Sequence, residues 1–321
     1  MKKIFKSLLA SSLALGLAAC GSSTSADTQT VGIIQLVQHP ALDATNEGFK
    51  DALEEAGIEV TYDDQNAQGD IANCDSIASK FVNDGVDLIY AIATPAAQSA
   101  ASKTTDIPIV VSAVTDPASS GLVQSNENPG TNVTGASDLT PVQEQIDLLK
   151  QLIPTAKTVG VMYNSSEDNS IFQANLAKEA IEAAGMTYKP YTVSESNAIQ
   201  QVVESAVGKV DAIYIPTDNL LADGMQTVAM VCNENKIPTI VGEAGMVTNG
   251  GLATYGIDYY ELGKLAGQQA VEILKNQANP ASMPIVYLNK EECELTINQT
   301  TADALGITIP ADLSSEAVIV E

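Results

Sequence analysis

Short, uninterrupted runs of β-branched and apolar residues recur along this chain, and they recur twice in the same order. V-G-I-I-Q-L begins at Val31, and V-G-V-M-Y-N begins 128 residues later at Val159. V-D-L-I-Y at Val86 is matched by V-D-A-I-Y at Val210, and I-P-I-V-V at Ile107 by I-P-T-I-V at Ile237. Runs this short, bounded by polar and turn-forming residues, read as buried strands. Segments with helical spacing lie between them, at Gly48 to Gly57 and Asn175 to Gly185. Each closes on a glycine, where a helix C-terminus favours a left-handed residue.

Strand, helix, strand, helix, strand in each half predicts an α/β protein of two Rossmann-like lobes. The strands are apolar throughout, as expected where helices cover both faces of a parallel sheet. The matched order favours duplication, or a shared lobe architecture, over chance likeness. In open parallel sheets ligands bind beyond the carboxyl ends of the strands. Two such lobes place the site in the cleft between them, with hinge closure as the expected motion.

The strand ends then nominate residues. In the first half they are Gln38 and His39, then Thr94 and Pro95, then Asp116. In the second half they are Asn164, Ser165, Ser166, Asn169 and Ser170, then Thr217, Asp218 and Asn219, then Glu243. An amino-acid ligand suits this set. Its carboxylate calls for helix N-terminal N–H groups and hydroxyls, offered by Thr94 and by Ser165, Ser166 and Ser170. Its ammonium calls for a carboxylate, offered by Asp218 or Asp116. Plainer roles stand beside each: helix capping for the serines, Asp218 and Asn219, a turn for Asp116, and loop packing for His39.

The N-terminus decides the compartment. Lys2, Lys3 and Lys6 precede a short apolar stretch from Leu8 to Ala19, which reads as a signal peptide spanning 1–19. It ends in L-A-A-C at Cys20, which resembles a bacterial lipobox and makes Cys20 the expected lipidation site. Residues 20–29 then form the lipidated cysteine and a Ser/Thr-rich tether. No later segment is long and apolar enough to span a bilayer.

Charge removes other classes. The net charge is −25, from 40 acidic and 15 basic residues, and every basic residue is lysine. Such a surface repels phosphate backbones, so nucleic acid is not an expected partner. Without arginine, no guanidinium fork can clamp an anionic ligand. Cys74, Cys232 and Cys293 lack C-x-x-C spacing, and His39 is the sole histidine, so no metal or other cofactor is expected. A Cys232–Cys293 bridge is a minor alternative to three inert thiols. There is no G-x-S-x-G elbow, P-loop or G-x-G-x-x-G after the first strand, so an enzyme is not expected.

V-S-A-V-T-D-P from Val111, V-G-V-M-Y-N-S-S-E-D-N-S from Val159, Y-I-P-T-D-N from Tyr214 and L-A-T-Y-G-I-D-Y from Leu252 together carry a resemblance. The chain resembles an ABC-transporter substrate-binding lipoprotein of the group that includes tryptophan- and tyrosine-type binding proteins. The resemblance spans nearly the whole mature chain. It implies a type I periplasmic-binding-protein fold, and delivery of ligand to a membrane permease powered by a separate ATPase; a monomer is the simplest form for such delivery. It also implies three crossings between lobes, near Ala136–Thr140, Tyr255–Asp258 and Leu288–Glu292, with Asp138, Tyr255 and Asp258 as hinge residues. The lobes then comprise 30–137 with 257–289, and 138–256 with 290–321. An aromatic amino acid is the ligand it favours. Aromatic residues make up only 4% of the chain, and Pro40, Leu42, Pro95, Tyr163 and Tyr255 are the candidates to wall a ring. A branched-chain amino acid, a sugar or a nucleoside remains an alternative, as does a sensing lipoprotein that feeds no transporter.

Overall fold

The computed structural model describes residues 28–289 and 293–321. The signal peptide, Cys20 and most of the tether lie outside the described residues, as do residues 290–292 of the third expected crossing.

The first half of the repeat runs β1 (Gln29–Gln35), α1 (Pro40–Glu55), β2 (Val60–Asn66), α2 (Ile71–Asp84), β3 (Leu88–Ile92), α3 (Thr94–Lys103), β4 (Ile109–Val114) and β5 (Val133–Ser137). The chain then crosses to the second sheet. It continues as α4 (Val142–Leu152), β6 (Thr158–Asn164), α5 (Asp168–Ala183), β7 (Thr187–Val193), α6 (Ile199–Ala206) and β8 (Ala212–Ile215). After these come α7 (Asn219–Asp223), α8 (Met225–Glu234), β9 (Thr239–Val241), α9 (Ala244–Thr248) and β10 (Ala253–Gly256). A second crossing leads to α10 (Tyr259–Asn276) and β11 (Val286–Tyr287), back on the first sheet. A third leads to β12 (Glu294–Asn298), α11 (Gln299–Leu305), α12 (Ala311–Glu316) and β13 (Val318–Val320).

The six-stranded sheet has the order β11-β5-β4-β3-β1-β2, and the seven-stranded sheet β13-β12-β10-β9-β8-β6-β7. Pairing is parallel apart from β10 with β12. This is the two-lobed α/β architecture that the repeat predicts. The repeat did not reveal β2 and β7. Both are edge strands whose residues alternate between half-buried and exposed, so they lack the continuous apolar run of a central strand.

The duplicated sequence produces duplicated local structure. Gly57 (φ 68°) and Gly185 (φ 76°) are left-handed. Beyond them, Ile58 N–H donates to Leu53 O and Met186 N–H to Ile181 O, closing α1 and α5 in the same way. The tyrosines of the two V-D-x-I-Y runs, Tyr90 and Tyr214, are fully buried. Each phenol finds a partner: Tyr90 meets Ser112 Oγ at 2.5 Å, and Tyr214 donates to Gln145 Oε1 at 2.7 Å. Buried phenols need such partners.

The second crossing is held by close helix contact. A Cβ on Gly48 of α1 would stand 2.0 Å from Tyr260 O, and one on Gly263 of α10 would stand 2.2 Å from Thr45 O. Glycine alone permits this approach, which pins α10 to the first lobe.

Cys74 and Cys232 are buried free thiols, so the Cys232–Cys293 bridge does not form. Among the described residues, no helix is long and apolar enough to cross a membrane.

Candidate functional site: the interlobe cleft

The parallel strands of both sheets deliver their following loops to one cleft. His39 follows β1, Thr94 follows β3 and Asp138 follows β5. From the opposite lobe, Glu167 and Asn169 follow β6, Asp218 and Asn219 follow β8, and Glu243 follows β9. Hydrogen bonds join the lobes across this space. Gln98 Nε2 donates to Asp168 Oδ2 at 2.8 Å, and Gln173 Nε2 to Thr115 Oγ1 at 3.1 Å. His39 Nε2 lies 3.4 Å from Asn219 Oδ1. The cleft is therefore closed.

At its centre, His39, Leu42, Asp138, Asn169, Asp218 and Tyr259 line a cavity of about 10 Å³, room for about one water molecule, so a larger ligand needs the lobes to part. Ala113 and Glu243 also line the cavity. Ala113 has φ 52°, and Ala93, at the start of α3, has φ 84° and ψ 152°. Neither is glycine, so each holds a strained conformation of the kind found at binding sites, at about 1–3 kcal/mol apiece.

The structure sorts the nominated residues. His39, Asn169, Thr217, Asp218, Asn219 and Glu243 line the central cavity. Pro95, Asn164 and Ser166 line a wider outer mouth between the lobes. Thr94 and Ser170 are fully buried at the starts of α3 and α5. Gln38 and Ser165 are exposed. Asp116 serves a turn, with Oδ1 accepting Ser119 N–H at 2.7 Å and Oδ2 accepting Asn126 Nδ2 at 3.1 Å.

The two carboxylates nominated for an ammonium are thus already engaged. Besides Asp116, Asp218 caps α7 by accepting Leu221 N–H at 2.9 Å, and its other oxygen accepts Asn164 N–H at 2.5 Å. Glu243 likewise spends both oxygens on Gly245 N–H and Met246 N–H. Of the hinge residues, Asp258 caps α10, and Tyr255 accepts Gln145 Nε2 at its carbonyl. Asp138 differs: it faces the cavity from the first crossing. Its Oδ2 accepts the Tyr259 hydroxyl at 2.9 Å, whereas its buried Oδ1 makes no hydrogen bond of normal geometry, with the Thr115 hydroxyl beside the carboxyl.

Three functional-looking residues escaped the sequence reading. Tyr259 opens the returning helix and orients Asp138. Gln173 lies a turn inside α5 and reaches both Thr115 and Thr217. Glu167 sits within the run Asn164–Ser170 and gathers three amides, from Asn164, Asn169 and Asn219. Only Glu167 carried a signal, as one of two adjacent acids, with Asp168, in that polar run.

Burial sets the electrostatics. It lifts the Asp138 carboxyl to about 6 against the opposing pull of the Tyr259 and Thr115 hydroxyls. It lifts Glu243 to about 7 although two N–H groups hold the charged form. Asp218 is raised by burial and then by nearby Glu167. Burial also pushes the His39 imidazole down. The cavity thus holds strongly disfavoured negative charge and unpartnered buried atoms on His39, Asp138 and Asn169. It is built to receive hydrogen-bond donors and positive charge.

Comparison with known proteins agrees with this architecture. A "Tyrosine-binding protein" of Clostridioides difficile is 45% identical over 283 residues, covering 87% of this chain and 81% of that one. A crystal structure of an ABC domain in complex with L-Trp from Streptococcus pneumoniae matches with a TM-score of 0.88 at 40% identity, covering 92% of this chain and all of the other. A ligand-free, open substrate-binding protein with adhesive properties from Clostridium difficile matches with a TM-score of 0.70 at 44% identity, over 92% and 99% of the two chains. The closer superposition on the ligand-bound chain, at similar identity, fits the hydrogen bonds that close the cleft here. The type I periplasmic-binding-protein architecture is shared with these neighbours. The profile of the ABC transporter substrate binding proteins matches residues 30–321, and the chain belongs to that family.

Proposed function

We propose that this chain is an extracytoplasmic, lipid-anchored binding protein that captures an aromatic amino acid in the interlobe cleft and delivers it to an ABC importer. One observation carries the ligand class: the buried Asp138 carboxylate faces the cleft, and its Oδ1 makes no hydrogen bond of normal geometry. An unpaired buried carboxylate is costly, and an ammonium supplies the partner it lacks. Thr94 complements it. Its hydroxyl is buried and unpartnered at the start of α3, where first-turn N–H groups have no intrahelical acceptor and favour a carboxylate. Leu42 and Ala222 offer apolar wall. The arginine-free composition fits an anion held this way. The names of the two similar proteins, one tyrosine-binding and one bound to L-Trp, support the aromatic side chain. Lipid attachment rests on the L-A-A-C sequence ending at Cys20.

The test is direct titration with L-tyrosine and L-tryptophan by calorimetry. The chain contains no tryptophan, so indole fluorescence reports the added ligand alone. Saturable one-to-one binding supports the reading. Heat from neither ligand removes the aromatic assignment and directs the search to other amines.

A further inference from the structure

His39 is the sole histidine of the chain, and its buried Nδ1 opens on the cavity without a partner. What that atom can do depends on which ring nitrogen carries hydrogen, and the surrounding bonds decide it. Ser166 N–H donates to Asn164 Oδ1 at 2.9 Å, so the Asn164 amide nitrogen must face Glu167, which it does at 2.9 Å. Asn169 Nδ2 points at the Thr217 carbonyl at 3.3 Å and also reaches Glu167 at 3.2 Å. Backbone groups thus fix two amides as donors to Glu167. The third amide is placed in the same way, with Asn219 Nδ2 donating to Glu167 Oε2 at 2.6 Å. Asn219 Oδ1 is left facing His39 Nε2. Nε2 must then donate, and the neutral ring exposes a bare lone pair at Nδ1. Burial favours that neutral ring. By the same logic the orphan atom of Asn169 is an acceptor.

We infer that His39 is a specificity-determining residue whose Nδ1 accepts a hydrogen bond from the bound ligand, with Glu167 and Asn219 as positioning residues that hold its tautomer. This rests on the amino-acid reading above. The donor is an N–H or O–H of the ligand, drawn either from its ammonium or from a polar side chain such as a phenol or an indole.

The single histidine makes the test clean. In protein labelled with ¹⁵N-histidine and saturated with L-tyrosine, the imidazole should appear as the Nε2–H tautomer with an unprotonated Nδ1. An Nδ1–H tautomer or an imidazolium overturns the assignment. The Asn219→Leu variant should lose the tautomer preference, a change that a merely structural role would not produce; retention of the preference overturns the relay. His39→Phe, checked for an unchanged melting temperature without ligand, should bind about tenfold more weakly or worse. L-Phenylalanine separates the two donors. Equal loss for phenylalanine, tyrosine and tryptophan identifies the ammonium, whereas loss confined to tyrosine and tryptophan identifies the side chain. Unchanged affinity for all three in His39→Phe overturns the His39 role alone. Absence of binding to the wild-type chain overturns the aromatic amino-acid reading, and this inference with it.

Discussion

Replacing Asp138 by asparagine separates two effects that a simple contact model confuses. The carboxyl is only 4% exposed, and burial raises it from 3.8 to about 6. That rise corresponds to about 3 kcal/mol of penalty on the ionised form at neutral pH. Asparagine removes the charge and keeps an oxygen for the Tyr259 hydroxyl. The ligand-free protein should therefore hold or gain stability. Binding should move the other way. An ammonium that loses a buried charged partner forfeits about 2–5 kcal/mol, and the retained oxygen keeps Asp138→Asn near the lower end, about 30- to 150-fold in Kd. The assay pairs calorimetric titration of L-tyrosine at pH 7.5 with a thermal melt of the empty protein. Affinity within threefold of wild type refutes the ammonium assignment. A sharp loss of stability without ligand shows instead that Asp138 is a structural residue.

The remaining predictions concern the groups around it. Asp138 and Glu243 have folded values raised to about 6 and about 7, above their unfolded values, so the folded protein binds more protons than the unfolded one between those limits. Stability of the empty protein should then rise as pH falls from about 8 to about 5.5; a falling melting temperature over that range, measured in high salt to screen the net charge, contradicts the burial argument. Asp218→Ala removes the α7 cap and the bond to Asn164 N–H, and should lower stability by about 2–4 kcal/mol in a urea titration; an unchanged midpoint means the carboxylate is not needed for the fold. Gly263→Ala forces a Cβ onto Thr45 O and should destabilise by about 1–3 kcal/mol; no change in the same titration means that α1 and α10 part easily. Cys20→Ser should shift the protein from the membrane to the soluble fraction, and continued anchoring removes the lipobox reading.

Much of this architecture was legible because it is written in burial. The strands of the paired runs lie at sheet centres, so apolar residues mark them, and strand ends in a parallel sheet must face the cleft. That reasoning reached His39, Asn169 and Asp218. It could not rank them, because rank depends on who bonds to whom. Asp218 and Asp138 look alike as letters, yet one is consumed by two backbone N–H groups and the other has an oxygen to spare. Tyr259 and Gln173 were invisible for another reason. Tyr259 lines the cavity and Gln173 bridges Thr115 and Thr217 across the lobes, each from a helix position that pattern alone assigns to packing.

The same geometry explains why closure should wait for ligand. Shutting the empty cleft buries three acceptors without donors, on His39, Asp138 and Asn169. At about 1–3 kcal/mol each, that costs about 3–9 kcal/mol. The bonds that Gln98, Gln173 and His39 make across the cleft return about 0.5–1.5 kcal/mol each. The balance leaves the open form favoured when the site is empty. Moving a two-state equilibrium from 1:99 to 99:1 takes about 5.5 kcal/mol of differential binding, which is the scale of the penalty that a donor-bearing ligand removes. A ligand lacking an ammonium can enter the cleft but leaves Asp138 unpaired, and so supplies less of that difference. Under the proposed function, the acidic, acceptor-lined cavity would couple recognition of an amine to the closed shape.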